Sequence, residues 1–525
     1  MDDWWRSAVI YQIYPRSFQD SNGDGIGDLP GITRRLGHIA DLGADAIWLS
    51  PVFTSPMADM GYDVSDYRDI DPLFGTLADF DAMVERAHGL GLKVIIDQVL
   101  SHTSDRHPWF AESRRAREGA KSDWYVWADP RSDGMPPTNW ASVFGGPAWT
   151  WDARRRQYYL HNFLREQPDL NFHQPAVQDA LLDVMRFWLE RGVDGFRLDT
   201  VNFYFHDHEL RDNPPLGWNG PLPPAKPYDM QHHVYSKNRP ENLAFLRRMR
   251  ALTNEYGARA LMGEVGESRG ATQIMAEYTG GGDRLHMAYS FEMLGDRFDS
   301  GYFREKVGGF FDLAPDGWPC WSFSNHDVQR HVSRWARAGH EDAVARCAGA
   351  LLLSLRGTPC LYQGEELGQL ETDIEFHELT DPPGIAFWPD DKGRDGCRTP
   401  MVWSGEAPHG GFSEGQPWLP VKAPQAARSV EAQTGIEGSP LETYRALLAF
   451  RRERPELREG DIAFEEAGGN ILTFTRRANG SALRCRFNLS PEAIWIGDVG
   501  ATTGPSSGHE GERLAPWGFA FQEAS

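Results

Sequence analysis

Four mostly apolar stretches end in acidic residues or histidines: KVIIDQVLSH (93–102), GFRLDTVN (195–202), ALMGEVGE (260–267) and CWSFSNHD (320–327). A strand buried on both faces has no packing reason to finish in a carboxylate. If these strands belong to one barrel of alternating strands and helices, their C-terminal ends converge on a single mouth. Asp199, Glu264 and Asp327 are then candidates for one catalytic site. Arg197 and Asp199 lie two apart on a strand and so share a face. The guanidinium is expected to lower the pKa of Asp199 and keep it ionised, as a nucleophile requires; a buried ion pair holding the barrel interior is the alternative. Glu264 follows an apolar run, and burial there should raise its pKa and keep it protonated, which suits a general acid. One ionised and one protonated carboxyl across a glycosidic bond is the equipment of a retaining glycosidase, although their separation is not readable from sequence. His326 and Asp327 are further candidate substrate contacts, with a helix cap after the seventh strand as the competing reading of Asp327. His102 is open to either a structural or a site role.

A second cluster is DSNGDGIGDL (20–29). Oxygen-bearing side chains at Asp20, Asn22, Asp24 and Asp28, with glycines between them, have the alternation of a calcium loop, and the carbonyl of Ile26 would be a fifth ligand. The twelfth position, where an EF-hand has its bidentate glutamate, is Gly31. The expectation is a structural divalent cation, Ca²⁺ or Mg²⁺; the alternative is an Asx-rich turn without metal.

The elements that must position these residues follow a regular rhythm. Eight strand candidates begin at VIYQIY (9–14) and AIWLS (46–50), continue through the four motif strands and MAYSFE (287–292), and end at TPCLYQGEE (358–366), with helical segments between. That is the pattern of a (β/α)8 TIM barrel. The rhythm stops for about 70 residues after Asp97, too long for an ordinary loop, so an inserted subdomain over 105–172 is expected after the third strand. A Pro-rich excursion spans about 205–240. Past 458 the sequence turns to short alternating strands with Gly-Asn and Asn-Gly turns, which predicts a C-terminal antiparallel β domain. The expected organisation is a barrel over 1–104 and 173–457, a B subdomain over 105–172 and a β domain over 458–525.

Composition narrows the class. At 525 residues the chain exceeds one core and implies about two or three domains. The excess of 75 acidic over 53 basic residues, a net charge of −22, disfavours nucleic acid and anionic membranes and leaves a neutral substrate unaffected. No window approaches a membrane span and the start lacks a secretory pattern, so a cytoplasmic location is expected. Five scattered cysteines without ligand spacing read as reduced thiols. Nineteen tryptophans and 16 tyrosines exceed what the core needs, and flat aromatic faces suit sugar rings.

These motifs, in the order DQVLSH, GFRLDTVN, GEV and FSNHD, with QPDLN (167–171), resemble the α-amylase superfamily, glycoside hydrolase family 13, and within it the α-glucosidase and oligo-1,6-glucosidase branch. The resemblance implies Asp199 as nucleophile, Glu264 as acid/base and Asp327 as transition-state stabiliser, with His102, Arg197 and His326 lining the glucose subsite. It further implies that Asp59 of DMGYD binds terminal hydroxyls, that Tyr62 stacks under the ring, and that Arg398 of RDGCRTPM contacts the sugar with Asp59 as its ionic partner. A closed pocket, and hence exo action on maltose-like oligosaccharides with possible glucosyl transfer, would follow. Two positions depart from relatives. Ser101 replaces the asparagine that binds interdomain calcium in α-amylases, and Thr200 follows the nucleophile where α-1,6-specific members typically carry valine, which favours α-1,4 bonds. The competing readings are α-1,6 cleavage, sucrose hydrolysis or isomerisation on the same fold, and a non-catalytic binding relative. No organic cofactor is implied, and oligomeric state is not legible.

Overall fold

The computed structural model describes residues 3–217, 224–267, 269–466, 468–497 and 501–524. All eight expected strands form: β1 (Ile10–Ile13), β2 (Ala46–Leu49), β3 (Lys93–Gln98), β4 (Gly195–Leu198), β5 (Ala260–Val265), β6 (Met287–Ser290), β7 (Cys320–Ser322) and β8 (Thr358–Tyr362). They pair in parallel in the order β6-β5-β4-β3-β2-β1-β8-β7, and the ring is completed by an isolated bridge between Ala288 and Pro319.

Alternation along the strands sorts side chains into two environments. Val94, Ile96, Phe196, Leu198 and Leu261 face the surrounding helices and join the large apolar core. Ile10, Ala46, Ile95, Ala260, Met287, Cys320 and Cys360 fill the barrel interior, with Trp5 packed beneath them. Further along the same inward faces, the side chains turn polar: Gln12, Asp97, Arg197 and Glu264. The barrel is a packed plug at its N-terminal end and a functional surface at its C-terminal end.

The helices are fixed by local signals. Residues Leu29–Leu42 bury Ile32, Leu36 and Ile39 at helical spacing, start on Asp28, whose side chain accepts from the Gly31 N–H, and stop at Gly43 with φ 104°. Such a cap contributes about 1 kcal/mol. Thr76 and Asp79 form a capping box for Leu77–Gly89. The insertion after β3 carries a three-stranded sheet of Trp127–Ala128, Trp149–Asp152 and Gln157–Leu160. The excursion over 205–240 contains residues 218–223, which lie outside the described residues. The antiparallel β domain begins at Asp461, three residues later than expected, because Pro455–Glu459 adds a helical turn first. Asn479 and Gly480, both with positive φ, make the two-residue turn between its second and third strands. All five cysteines are buried and free. No helix among the described residues is long and apolar enough to cross a membrane.

Candidate active site

Arg197 organises the floor of the barrel mouth. Its Cα pairs with that of Asp97 across β3 and β4, and its side chain is fully buried over the Trp48 ring. Nη1 donates to both oxygens of Asp97 at 2.9 and 3.0 Å and to Asp199 Oδ1 at 2.7 Å. Nη2 lies 2.5 Å from Glu264 Oε1, and both Nε and Nη2 reach the Tyr289 hydroxyl. One cation therefore serves three buried carboxylates, too few charges to keep all of them ionised. Burial, opposed by Arg197, pushes Asp199 and Glu264 up to about 7 and Asp97 up to about 6. Arg197 does lower Asp199, as expected, but desolvation outweighs the guanidinium and the net shift is upward, so the expected fully ionised carboxylate is corrected. The raised pKa expected for Glu264 is found. Near neutral pH the group holds shared protons and titrates as a unit.

Thr200 links the two carboxylates. It adopts a left-handed conformation, φ 40° and ψ 47°, which costs a β-branched residue on the order of 1–3 kcal/mol. That twist aims its N–H at Glu264 Oε2 at 3.0 Å, while its hydroxyl donates to Asp199 Oδ2 at 3.2 Å. Ser101 Oγ lies 3.0 Å from the Thr200 hydroxyl and 2.8 Å from His102 Nδ1. Burial lowers His102 to about 4, so the ring is a neutral hydrogen-bonding group.

The rear wall has a different charge ratio. Arg394 Nη2 bonds Asp59 Oδ1 at 2.8 Å and Asp381 Oδ1 at 2.6 Å, and its Nη1 approaches Asp327 Oδ1 at 3.4 Å. Arg398 is completely buried; it bonds Asp327 Oδ1 at 3.0 Å and the His326 carbonyl at 2.7 Å. The expected Asp59–Arg398 pair is thus corrected to Asp59–Arg394, and Arg398 stands behind Asp327 without lining the cavity. Burial would raise Asp327, but His326, Arg394 and Arg398 hold it well below the usual carboxylate range. Because burial keeps His326 itself neutral, lowered to about 3, the two guanidiniums carry that field. No helix starts on Asp327, so the capping alternative fails. Tyr62 stacks on the His326 ring at 5.3 Å and 5°, its hydroxyl 2.6 Å from Nε2.

Asp59, Tyr62, His102, Asp199, Thr200, Glu264, His326 and Asp327 all line one cavity of about 410 Å³. Arg197 lies beneath it. Phe144, Phe163, Phe203, Tyr228 and Phe291 form its aromatic wall, drawn largely from the insertion and the loops after β4 and β6. Lys226 and Asp391 pair at 2.7 Å at its rim. Sequence reasoning missed Asp97, Arg394, Asp381, Gln167 and Tyr289. Gln167 stands inside the QPDLN motif and reaches Asp59 at 3.1 Å, so its signal was on the page.

The loop over 20–28 is held by its own amides. Asp20 accepts from the N–H groups of Asn22, Gly23 and Gly25 and from Ser413 Oγ. Asp28 accepts from Gly31 and Ser21, Asn22 from Asp24, and Asp24 from Ile26. Gly25 is obligatory: with φ +88°, a Cβ would meet the Gln416 carbonyl at 1.9 Å. Among the described residues no three Asp, Glu, His or Cys side chains converge to hold a metal ion.

An aromatic-walled cavity at the C-terminal mouth of a (β/α)8 barrel, with two protonatable carboxylates on its floor and a third held ionised opposite, defines a glycoside-cleaving enzyme. The sequence model described as "Alpha amylase, catalytic domain" matches residues 12–460. The chain belongs to this α-amylase family and to its α-glucosidase branch. It is 61% identical over 497 residues to a probable α-glucosidase of Rhizobium meliloti, covering 94% of this chain and 90% of that protein. It is 36% identical to an oligo-1,6-glucosidase of Heyndrickxia coagulans, covering 94% and 93%. The crystal structure of an α-glucosyl transfer enzyme superposes with a TM-score of 0.95 at 53% identity, covering 99% of both chains.

Proposed function

We propose that the protein is an exo-acting, retaining α-glucosidase that releases terminal α-1,4-linked glucose from maltose and short oligosaccharides. The observation that carries this reading is the Asp59–Arg394 pair, which closes the cavity behind the floor carboxylates and gives a pocket that holds a chain end. In the proposed mechanism Asp199 attacks C1 as Glu264 protonates the departing glycosidic oxygen, forming a β-glucosyl ester. Water, deprotonated by Glu264, then displaces Asp199 and restores the α configuration. Asp327, ionised by its two arginines, binds ring hydroxyls through the distortion; Asp59, Tyr62, His102 and His326 hold the glucose, and Arg197 and Arg398 brace the carboxylates. The likeness to a glucosyl transfer enzyme supports capture of the ester by sugar hydroxyls as a side reaction. The relative named oligo-1,6-glucosidase keeps α-1,6 cleavage as the alternative. Thr200, whose hydroxyl is engaged by Asp199 and Ser101, supports the α-1,4 reading.

Maltose, isomaltose, sucrose and maltotetraose offered separately test the reading, with the anomer of released glucose followed by NMR. Rapid α-glucose from maltose and little from isomaltose is expected. Preference for isomaltose or sucrose, or internal cleavage of the tetraose, would overturn the substrate assignment.

We also propose a divalent cation at Asp20, Asn22, Asp24, Asp28 and the Ile26 carbonyl, supported by the concentration of oxygens on one tight loop. A chelator should lower Tm by a few degrees; an unchanged Tm with no metal in the purified protein removes the cation. The buried, unpaired cysteines support a reducing, cytoplasmic setting.

A further inference from the structure

The floor contains a phenol that neither the nucleophile nor the acid/base role uses. Tyr289 sits on β6 directly across from Glu264 on β5, as Cα partners of the parallel ladder, and is buried. Its hydroxyl lies 2.9 Å from Glu264 Oε1, 3.1 Å from Arg197 Nε and 2.9 Å from Arg197 Nη2. A guanidinium has donors only, so the phenol oxygen must accept from Arg197, and its single hydrogen is left for Glu264 Oε1. Arg197 Nη2 is also 2.5 Å from Oε1. At Oε1 the Tyr289 hydrogen takes one of about two accepting directions, and the positive guanidinium 2.5 Å away disfavours a proton in the other. At Oε2 the Thr200 N–H takes one, at 3.0 Å, which leaves the other for a proton.

We infer that Tyr289 is a positioning residue that, together with Arg197, closes Oε1 of Glu264 and confines the acid/base proton to Oε2. This rests on the reading of Glu264 as acid/base. In the first step the O–H bond at Oε2 breaks and its proton goes to the glycosidic oxygen, as the C1–O bond breaks and the Asp199–C1 bond forms. In the second, Oε2 takes a proton from water as the water oxygen binds C1 and the Asp199 ester bond breaks. Tyr289 keeps its own proton throughout, since burial holds the phenol well above its ordinary range. The charged and titratable groups facing the Glu264–Tyr289 pair are Arg197 on β4 and Asp199 just after it, Asp97 on β3, and Asp327 with neutral His326 beyond β7.

The test is the pH profile of kcat/KM for Tyr289→Phe. Removing a donor to the ionised form of Glu264 should raise the alkaline limb by about one pH unit. With the proton free to occupy Oε1, kcat on maltose should fall about tenfold, with KM little changed. The fall on 4-nitrophenyl α-glucoside should be smaller, because that leaving group needs little proton donation. Site-specific 3-fluorotyrosine at 289 keeps the shape and strengthens the donor, and should move the same limb down. An unshifted limb in both proteins, with equal losses on both substrates, overturns the inference. Glu264→Gln separates the two levels. If that variant retains maltose turnover, the acid/base reading itself falls; if it is inactive while the limb ignores both Tyr289 replacements, only the tyrosine assignment falls.

Discussion

The floor and the rear wall of the cavity each contain three carboxylates, yet they hold protons differently; on the wall Asp327 is partly exposed while the floor groups are buried. The floor sets Asp97, Asp199 and Glu264 around the single cation Arg197. The wall sets Asp59, Asp327 and Asp381 around two, Arg394 and Arg398. Burial wins on the floor and all three groups rise. On the wall Asp327 and Asp381 are held low, and only Asp59, which takes a single bond from Arg394 where Asp381 takes several, is raised by burial. The count of cations per carboxylate, together with the partial exposure of Asp327, separates a surface that trades protons from one that binds hydroxyls with fixed charge.

The comparison can be broken most severely at the floor. Asp199→Asn removes the proposed nucleophile, and turnover should fall by about 10⁴-fold or more with the fold retained. Substantial residual activity, with circular dichroism unchanged, would remove the assignment. Next in size is the wall. Arg394→Gln leaves Asp59 and Asp381 buried without their shared cation, a loss of about 2–5 kcal/mol for such a truncation, so kcat/KM on maltose should drop roughly 30- to 5,000-fold, mainly through KM. A KM within about twofold of the parent, by initial-rate assay, would show that the wall does not hold the chain end.

The smallest effect sharpens the comparison through stability. Glu264 is raised from an ordinary 4.5 to about 7, so between those values the folded state keeps a proton that the unfolded state has shed. Its contribution to stability is present in acid and lost as pH rises through that window, by on the order of 1–3 kcal/mol for so strongly coupled a group. Glu264→Gln should therefore be more stable than the parent at pH 8 and converge on it toward pH 4.5, measured by denaturant midpoints. Asp327 has the opposite sign: its ionised form stabilises the fold above the ordinary aspartate range, and that is lost only in stronger acid. A parallel stability curve for Glu264→Gln across the whole range would contradict the floor's surplus of negative charge.

Much of this was legible in the sequence, for definable reasons. The eight strands announced themselves as apolar runs at regular intervals, and Asp199, Glu264 and Asp327 stood out because a carboxylate closes each run. What failed was whatever depends on reach across the chain. RDGCRTPM offers two arginines four residues apart, and only the folded loop shows that Arg394 meets Asp59 while Arg398 turns behind Asp327. Tyr289 reads in MAYSFE as one more apolar strand residue; its hydroxyl acquires meaning from the β5–β6 register. The protonation of Asp199 could not be read from a neighbouring arginine, because Asp97 and Glu264 compete for the same guanidinium from strands 100 residues upstream and 67 residues downstream of Arg197 (197−97 and 264−197).

The barrel ring is joined between β6 and β7, among the described residues, by the single bridge from Ala288 to Pro319. Local opening begins where few backbone hydrogen bonds must be broken. This seam is therefore the place where the ring can part with least loss, and its amides should exchange with solvent before those of β2 through β5. It also divides the site: Glu264 and Tyr289 lie on one bank and Asp327 on the other. A slow widening of the seam would separate fixed charge from mobile proton without disturbing either, giving the enzyme a natural line along which to loosen its hold on product.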